Sequence, residues 1–166
     1  MSIILNPSEE GITHINIYSK SNLEVGRLMS NFYKSKIYTP EGIFMSVEAY
    51  WHYLLIPDEV EEKKELLDLY GYNAKSKGTE LLKKYGKKDV PDFEEKISDA
   101  ISRKLIHHLD ILFEKEEYLY LPLEHYYNFN GRIVDAKNKY LWFVKNISYI
   151  RGWLIDNLWK GAVGVI

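Results

Sequence analysis

The stretch SVEAYWHYLL, residues 46–55, predicts a short helix with a carboxylate in its first turn. Ser46 is a favoured N-cap residue, and nearly every later position is apolar or amphipathic. Glu48 therefore falls where the positive end of the helix dipole favours an ionised carboxylate. Burial among the neighbouring aromatic rings would raise its pKa instead. Glu48 is thus a candidate general acid or base, although an acid in this position also serves simply to complement the dipole.

The composition limits the classes of protein to which the chain can belong. Its 166 residues predict one domain, residues 1–166, that is large enough to bury a single core. The net charge of −2 provides no global attraction to nucleic acid. The lack of cysteine excludes disulfides, thiolate zinc sites and cysteine nucleophiles, and it fits a cytoplasmic location. No apolar run approaches the roughly 18 residues of a membrane span, so no membrane partner is expected.

The hydrophobic pattern predicts an α+β fold, a predominantly helical single domain with a small antiparallel β-sheet. Strands are predicted at residues 12–18, 37–44 (as a hairpin), 119–121 and 131–134, the last beginning at the turn signal Asn130-Gly131. Residues 19–26 are polar and predict a turn. Helices are predicted at residues 46–55, 58–70 (ended by Gly71), 73–85, 92–112 and 140–159.

Familiar metal and nucleotide motifs are absent from the sequence. The five histidines include no pair at i, i+4 spacing, so no metal site is expected. There is no glycine-rich dinucleotide or phosphate loop and no GxSxG nucleophile turn. We therefore expect no cofactor.

Two further stretches place polar groups where they have either a chemical or a structural use. The lysine-rich helix start at Ala74-Lys75-Ser76-Lys77-Gly78 would hold phosphate oxygens or form a solvated charged face. Asp135 follows a predicted strand, where an acid serves as an N-cap or, if it lies near Glu48, as a second acid in the same cleft.

The order and spacing of three motifs resemble the opening of the NADAR (YbiA-like) superfamily. These motifs are Ile17-Tyr18-Ser19-Lys20-Ser21, Gly26-Arg27-Leu28-Met29-Ser30-Asn31-Phe32 and Ser46-Val47-Glu48-Ala49-Tyr50-Trp51. The Ala74–Gly78 stretch is similar to the element that follows them in that family. Downstream, Val134-Asp135-Ala136 and Trp142 are similar to a later strand and tryptophan. Many members carry an acid just before that tryptophan, and here Lys139 and Tyr140 occupy the place. The arrangement of His125-Tyr126-Tyr127 with Val134-Asp135-Ala136 resembles a divergent branch that includes phage-type members.

The resemblance implies hydrolysis of an N-glycosidic bond. Characterised members remove ADP-ribose from guanine bases in nucleic acid or cleave ribosylated intermediates of riboflavin biosynthesis. Glu48 would stabilise the oxocarbenium charge on the ribose and orient water, and Asp135 would assist as second acid or position the ribose hydroxyls. The implied substrate-binding residues are Lys75 and Arg27 at the pyrophosphate, Ser30 and Asn31 at the ribose or nucleobase, one of Phe32, Trp51 or Phe93 stacked on a base, and His125.

Three functions remain open from the sequence. The first is an N-glycosidase acting on ADP-ribosylated guanine in nucleic acid or nucleotides, in the host cytoplasm if a phage encodes it. The second applies the same chemistry to a small ribosylated metabolite, such as a riboflavin-biosynthesis intermediate or an NAD-derived nucleotide, which the near-neutral charge favours. The third is a non-catalytic ADP-ribose-binding module, which the replaced acid before Trp142 favours. No obligate protein partner is expected.

Overall fold

A computed structural model, which describes residues 5–159, shows a mainly helical α+β fold. The α+β class with a small antiparallel sheet is therefore confirmed. The helices are α1 (Glu24–Met29), α2 (Val47–Leu55), α3 (Gly71–Tyr85), α4 (Phe93–His107), α5 (Leu109–Leu112) and α6 (Leu141–Leu158). The strands are β1 (Ile15–Asn16), β2 (Ile37–Thr39), β3 (Gly42–Phe44), β4 (Leu123–Glu124), β5 (Tyr126–Phe129) and β6 (Arg132–Asp135). Within these residues no helix has the length and apolar character needed to cross a membrane.

The strands of this part of the chain pair in three two-stranded sheets. The β2–β3 and β5–β6 pairs are antiparallel hairpins, whereas β1 and β4 pair in parallel. The predicted hairpin at residues 37–44 is confirmed, and so is the turn at Asn130-Gly131, where φ is +50° and +78° as a tight two-residue hairpin turn requires. The strand predicted at residues 119–121 is wrong. The N–H groups of Leu119 and Leu121 donate to the carbonyl oxygens of Glu116 and Tyr118, as in successive turns, so they do not bond to a neighbouring strand.

One turn prediction and three predictions about helices need correction. The polar residues 19–26 include the first turn of α1, and residues 58–70 contain a 3₁₀ helix at Glu61–Asp68 rather than an α-helix. Gly71 begins α3, with a φ of +58°, instead of ending the preceding helix. The helix predicted over residues 92–112 breaks at His108 (φ −126°, ψ 38°), which separates α4 from α5.

Contacts group the described residues into two compact units. The first comprises residues 5–30 and 108–159, and its core includes Ile15, Ile17, Leu28, Met29 and Ile147. The second comprises residues 31–107, and its core includes Ile37, Phe44, Tyr50, Leu81 and Ile97. The single domain over residues 1–166 stays a prediction.

Gly26 lets α1 lie directly against β1 in the first unit. A Cβ atom at this position would collide with the backbone carbonyl oxygen of Asn16 and with the Ser21 side chain. The Asn16 carbonyl belongs to β1 and has no freedom to move aside. Close packing of α1 on β1 is thus enough to require glycine at position 26, and no bound ligand is needed to explain it.

Helix α2 begins at Val47 because Ser46 caps it, as the sequence predicts. The buried Ser46 Oγ accepts a hydrogen bond from the Ala49 N–H at 3.1 Å and donates one to the Leu69 carbonyl oxygen at 3.0 Å. One hydroxyl therefore satisfies a backbone group at the start of α2 and another just after the end of the 3₁₀ helix.

The substitution Ser46→Ala is expected to lower the free energy of unfolding by about 1–2 kcal/mol, because it removes a helix cap and leaves a buried carbonyl without its donor. Urea unfolding monitored by circular dichroism measures the change. Ser76→Ala is the matched control, since Ser76 is exposed on α3 and its loss should be neutral or slightly stabilising. Equal unfolding midpoints for the two variants would contradict the capping role.

Candidate active site

A turn at residues 31–32 holds the first residues of two helices. The carbonyl oxygen of Asn31 accepts a hydrogen bond from the Glu48 N–H at 3.0 Å, at the start of α2. The next carbonyl, that of Phe32, accepts from the Gly71 N–H at 3.2 Å, at the start of α3. The first N–H groups of a helix have no partner inside it, so these two bonds satisfy donors that would otherwise need water. The turn therefore fixes the start of α2 relative to the start of α3.

Glu48 projects from the first turn of α2 into a nearly closed environment, where its side chain is only 13% exposed. Burial raises the pKa of its carboxyl to about 7, and the positive charge of Lys75 opposes part of that rise. Both protonation states are therefore populated at neutral pH. A group with this property is suited to take up or release a proton during a reaction.

His52 lies one turn beyond Glu48 and supports its backbone. Its Nδ1 is 3.0 Å from the Glu48 carbonyl oxygen, which makes Nδ1 the protonated nitrogen and the donor. The same nitrogen is 3.6 Å from Glu48 Oε1, beyond a good hydrogen bond. Burial lowers the pKa of the imidazole, so His52 is neutral where Glu48 titrates. The two side chains are neighbours rather than an ion pair.

Gly78 makes room for His52 between α2 and α3. A Cβ atom at position 78 would collide with the Cβ, Cγ and Cδ2 atoms of the imidazole. The two helices can approach this closely only because residue 78 has no side chain. Lys75 lies one turn before Gly78 on α3, just as Glu48 lies one turn before His52 on α2. The contact at Gly78 thus brings Lys75 towards Glu48.

The two lysines of the Ala74–Gly78 stretch have different surroundings. Lys77 forms an ion pair with Glu65 at 2.9 Å. It therefore fits the solvated charged face, the alternative to a phosphate site that the sequence leaves open. Lys75 forms no hydrogen bond or ion pair with any other residue from 5 to 159, and its charge acts on Glu48. Lys75 is therefore the lysine that remains available to an anionic ligand.

Asn31 carries an unsatisfied polar atom next to the same helix start. Its Oδ1 is buried and has no hydrogen-bond partner among the described residues. An acceptor left in this state costs about 1–3 kcal/mol, so it calls for a partner such as a bound ligand or a water molecule. A ligand with a hydroxyl or N–H donor would satisfy it.

An aromatic groove lies further along the face of α2 that carries Glu48. Trp51 follows Glu48 at i+3, and its ring meets that of Phe93 edge to face with centroids 4.8 Å apart. The groove has a volume of about 390 Å³ and is lined by Trp51, Leu55, Lys87, Lys88, Asp89, Val90 and Phe93. Lys88 is paired with Asp58 at 2.7 Å, which leaves Lys87 as the lysine at the rim of the groove. An aromatic wall with a cation at its rim suits a planar base that carries phosphate.

Six of the predicted site residues belong to the second unit and four belong to the first. Asn31, Phe32, Glu48, Trp51, Lys75 and Phe93 belong to residues 31–107. Arg27, Ser30, His125 and Asp135 belong to the other unit. For these four the substrate-binding and second-acid roles stay predictions.

Three residues of the first unit make local contacts. The Arg27 guanidinium donates a hydrogen bond to the Ser21 carbonyl oxygen at 2.7 Å. His125 donates from Nδ1 to the Ile17 carbonyl oxygen at 2.7 Å, and burial lowers its pKa. Asp135 is exposed at the end of β6, and its Oδ1 accepts from the Lys137 N–H at 3.0 Å. This last contact is that of an Asx turn, which is a local structural use of the acid.

Ser30 ends α1 and is 8% exposed. Its N–H donates to the carbonyl oxygen of Arg27 at 3.1 Å, as expected at a helix terminus. The neighbouring Ser30 and Asn31 stand at the boundary between the two units.

His52 and the packing role of Gly78 were not predicted from the sequence. The signals were present, because His52 follows Glu48 at i+4 and Gly78 interrupts an otherwise favourable helix. Lys87 and Val90, which line the groove beside Trp51, could not be predicted in this way, because they lie in the link between α3 and α4, where no helical spacing relates them to Glu48. Among the described residues, no group of three or more histidines and carboxylates is arranged to hold a metal ion.

Comparison with known proteins found no matching family model, no similar curated protein and no similar solved structure. The resemblance to the NADAR superfamily therefore stays a prediction, and the site has to be interpreted from its own geometry.

Proposed function

We propose that the protein is an N-glycosidase that hydrolyses the N-glycosidic bond of ADP-ribosylated guanine, in nucleic acid or in a nucleotide, and releases ADP-ribose. The observation that supports this most strongly is the environment of Glu48, a nearly buried carboxyl with a pKa of about 7 that feels the positive charge of Lys75.

The reaction suits a single carboxylate in a closed site. The C1–N bond of the ribose breaks, its electron pair remains on the base nitrogen, and positive charge builds on the ring. Ionised Glu48 stabilises that charge and takes one proton from the attacking water, whose oxygen bonds to C1. The base nitrogen takes up a proton from solvent, and Glu48 returns its own proton to solvent. Low exposure strengthens the attraction between the carboxylate and the ring.

The surrounding groups account for binding of the remaining parts of the substrate. Asn31 Oδ1 would accept from a ribose hydroxyl and so lose its unsatisfied state. Lys75 would contact the pyrophosphate, because its ammonium group has no other partner among residues 5–159. Trp51 and Phe93 would stack against a base, about 5 Å further along the axis of α2 than Glu48.

A glycosidase for a smaller ribosylated nucleotide is the second candidate. The groove volume of about 390 Å³ is at the lower end of small-molecule sites and suits one base with its sugar. The net charge of −2 also favours a metabolite over a polyanion.

Incubation of the purified protein with a panel of substrates tests the proposal. The panel contains an ADP-ribosylated guanine oligonucleotide, ADP-ribosylated guanosine and NAD, with release of free ADP-ribose followed by chromatography. We expect release from both guanine substrates. Release of ADP-ribose from NAD alone would favour the glycosidase for a small metabolite. If no substrate releases ADP-ribose but the protein still binds it, the protein is a binding module.

Hydrolysis is expected to become faster as the pH rises from 6 to 8, with an apparent pKa near 7 in the profile of kcat/KM, which reports the free enzyme. Only ionised Glu48 stabilises positive charge, and below its pKa each pH unit removes about nine tenths of that form. Burial lowers the pKa of His52 from its ordinary value, away from that of Glu48. Initial rates between pH 5.5 and 8.5 measure the profile. A rate that falls with pH in this range would show that the protonated carboxyl is the active form.

A further inference from the structure

The β5–β6 hairpin presents two faces of different character. Directly opposite residues of an antiparallel pair share a face, so Phe129 with Arg132 and Tyr127 with Val134 lie on one side. Tyr126 lies on the other side and is 3% exposed. The side with Tyr127 and Phe129 therefore faces away from the core of its unit.

The base of the hairpin is firmly held in the first unit. The Asn16 side chain forms two hydrogen bonds with the backbone of Tyr126, both at 2.9 Å. The Tyr126 hydroxyl is 2.6 Å from His14 Nε2. The outward face is thus supported by a fixed strand, although nothing in that unit covers its rings.

Two aromatic rings and a guanidinium group stand on this outward face. Phe129 is 63% exposed and Tyr127 is 36% exposed, which is unusual for rings placed side by side on a strand. Their spacing of two residues separates them by about 7 Å. Arg132, opposite Phe129, is exposed and forms no ion pair with another described residue.

The charge around the hairpin opposes that of the whole chain. Residues 126–145 carry four cationic side chains and a single carboxylate, Asp135, in a protein of net charge −2. The cations are Arg132, Lys137, Lys139 and Lys145. One of them, Lys137, is paired with Glu124 at 3.2 Å. The segment that carries the rings is therefore cationic, and the register places one of its charges, that of Arg132, directly beside Phe129.

We propose that the β5–β6 hairpin binds single-stranded nucleic acid, with Tyr127 and Phe129 stacking on bases and Arg132 contacting phosphate. Exposed rings beside cations are the combination by which proteins hold single strands, because every base has a stacking face while phosphate supplies the charge. A duplex keeps those faces stacked inside and offers the rings nothing comparable. The inference does not depend on the glycosidase, but if both hold, the substrate class is nucleic acid.

Fluorescence anisotropy with labelled dT12, rU12 and a 12-base-pair duplex tests this proposal. Phe129→Ala is expected to weaken binding of the single strands about tenfold, and Phe129→Trp to restore it. Arg132→Gln should weaken binding and reduce the slope of log affinity against log salt concentration by about one. Tyr149→Ala is the control, because Tyr149 is 74% exposed on α6 of the same unit and should have no effect. Comparison of the affinities for dT12 and rU12 shows whether the hairpin prefers DNA or RNA.

Three results would overturn the proposal. They are no binding of either single strand, duplex binding as tight as single-strand binding, and equal losses in the Phe129 and Tyr149 variants. Self-association of the wild type that disappears in Phe129→Ala would instead assign the face to a second copy of the chain. Hydrolysis of ADP-ribosylated guanosine, which has no strand for the hairpin to hold, tests the proposed function separately.

Discussion

Replacing Glu48 by glutamine is expected to reduce kcat at least a hundredfold while leaving the affinity for ADP-ribose within about threefold. Glutamine fills the same space on α2 but cannot ionise, so it no longer stabilises positive charge on the ribose. Single-turnover hydrolysis measures the first quantity, and calorimetric titration with ADP-ribose measures the second. Equal turnover by the variant and the wild type would remove Glu48 from the mechanism.

The same substitution is expected to stabilise the fold at pH 8 by up to about 3 kcal/mol. The folded-state pKa of about 7 lies above the ordinary value of 4.5, so the folded protein holds a proton that the unfolded chain releases between these pH values. Stability therefore falls as the pH rises from 4.5 to 7, and the full penalty remains above pH 7. Thermal unfolding of wild type and Glu48→Gln at pH 4.5 and pH 8 should show a gain only at pH 8.

Glu41→Gln is the matched control for both measurements. Burial raises the pKa of Glu41, but hydrogen bonds from Lys96 and from the Tyr50 hydroxyl outweigh it and hold the pKa below the ordinary value. Loss of this carboxylate should lower stability at pH 8 and leave kcat unchanged. The two glutamate variants thus move stability in opposite directions, and only one of them loses activity.

Replacing Gly78 by alanine is expected to destabilise the protein by about 2 kcal/mol or more and to reduce hydrolysis with it. Alanine normally stabilises a helix interior by about 1 kcal/mol relative to glycine, so a loss would be the reverse of the intrinsic preference. The added Cβ atom would collide with the His52 ring, which is buried and cannot move aside without separating α2 from α3. Urea unfolding gives the change in stability.

Gly152→Ala provides the opposite expectation in the same chain. A Cβ atom at this position of α6 meets no atom within 4 Å, so the variant should gain up to about 1 kcal/mol. A Gly78→Ala protein that is as stable as Gly152→Ala would show that the two helices do not require close contact at residue 78.

Local signals were sufficient to predict the first turn of α2. Ser46 caps the helix in the way its sequence position predicts, and Glu48 lies in the first turn under the influence of burial. Both features depend on residues within one turn of each other. The hairpin at residues 37–44 was predictable for the same reason, because the turn residues and the paired strands are neighbours in the chain.

Contacts between distant segments could not be predicted in this way. The bonds from Asn31 to α2 and from Phe32 to α3 join residues 17 and 39 positions apart, and no local pattern marks a carbonyl as a helix cap. The role of Gly78 depends likewise on His52, which lies on another helix. The sequence shows that a glycine interrupts α3, but only the fold shows that the His52 ring occupies the place of the missing side chain.

Local propensity was misleading where backbone turns compete with regular structure. Residues 61–68 have the charge pattern of an amphipathic α-helix but form a 3₁₀ helix, in which Leu66 is fully buried and Lys63 donates to the Ile56 carbonyl oxygen at 2.9 Å. The buried lysine would be placed differently on an α-helix. Tertiary contacts thus overrode the intrinsic preference.

The proposed mechanism depends most directly on the charge state of Glu48. A ¹³C NMR titration of protein labelled at the glutamate Cδ atoms measures it, with the Glu48→Gln variant identifying the resonance. We predict a midpoint near pH 7, caused by burial and moderated by Lys75. A midpoint near the ordinary value of 4.5 would contradict the account, because Glu48 would then be a solvated first-turn acid with no special chemistry.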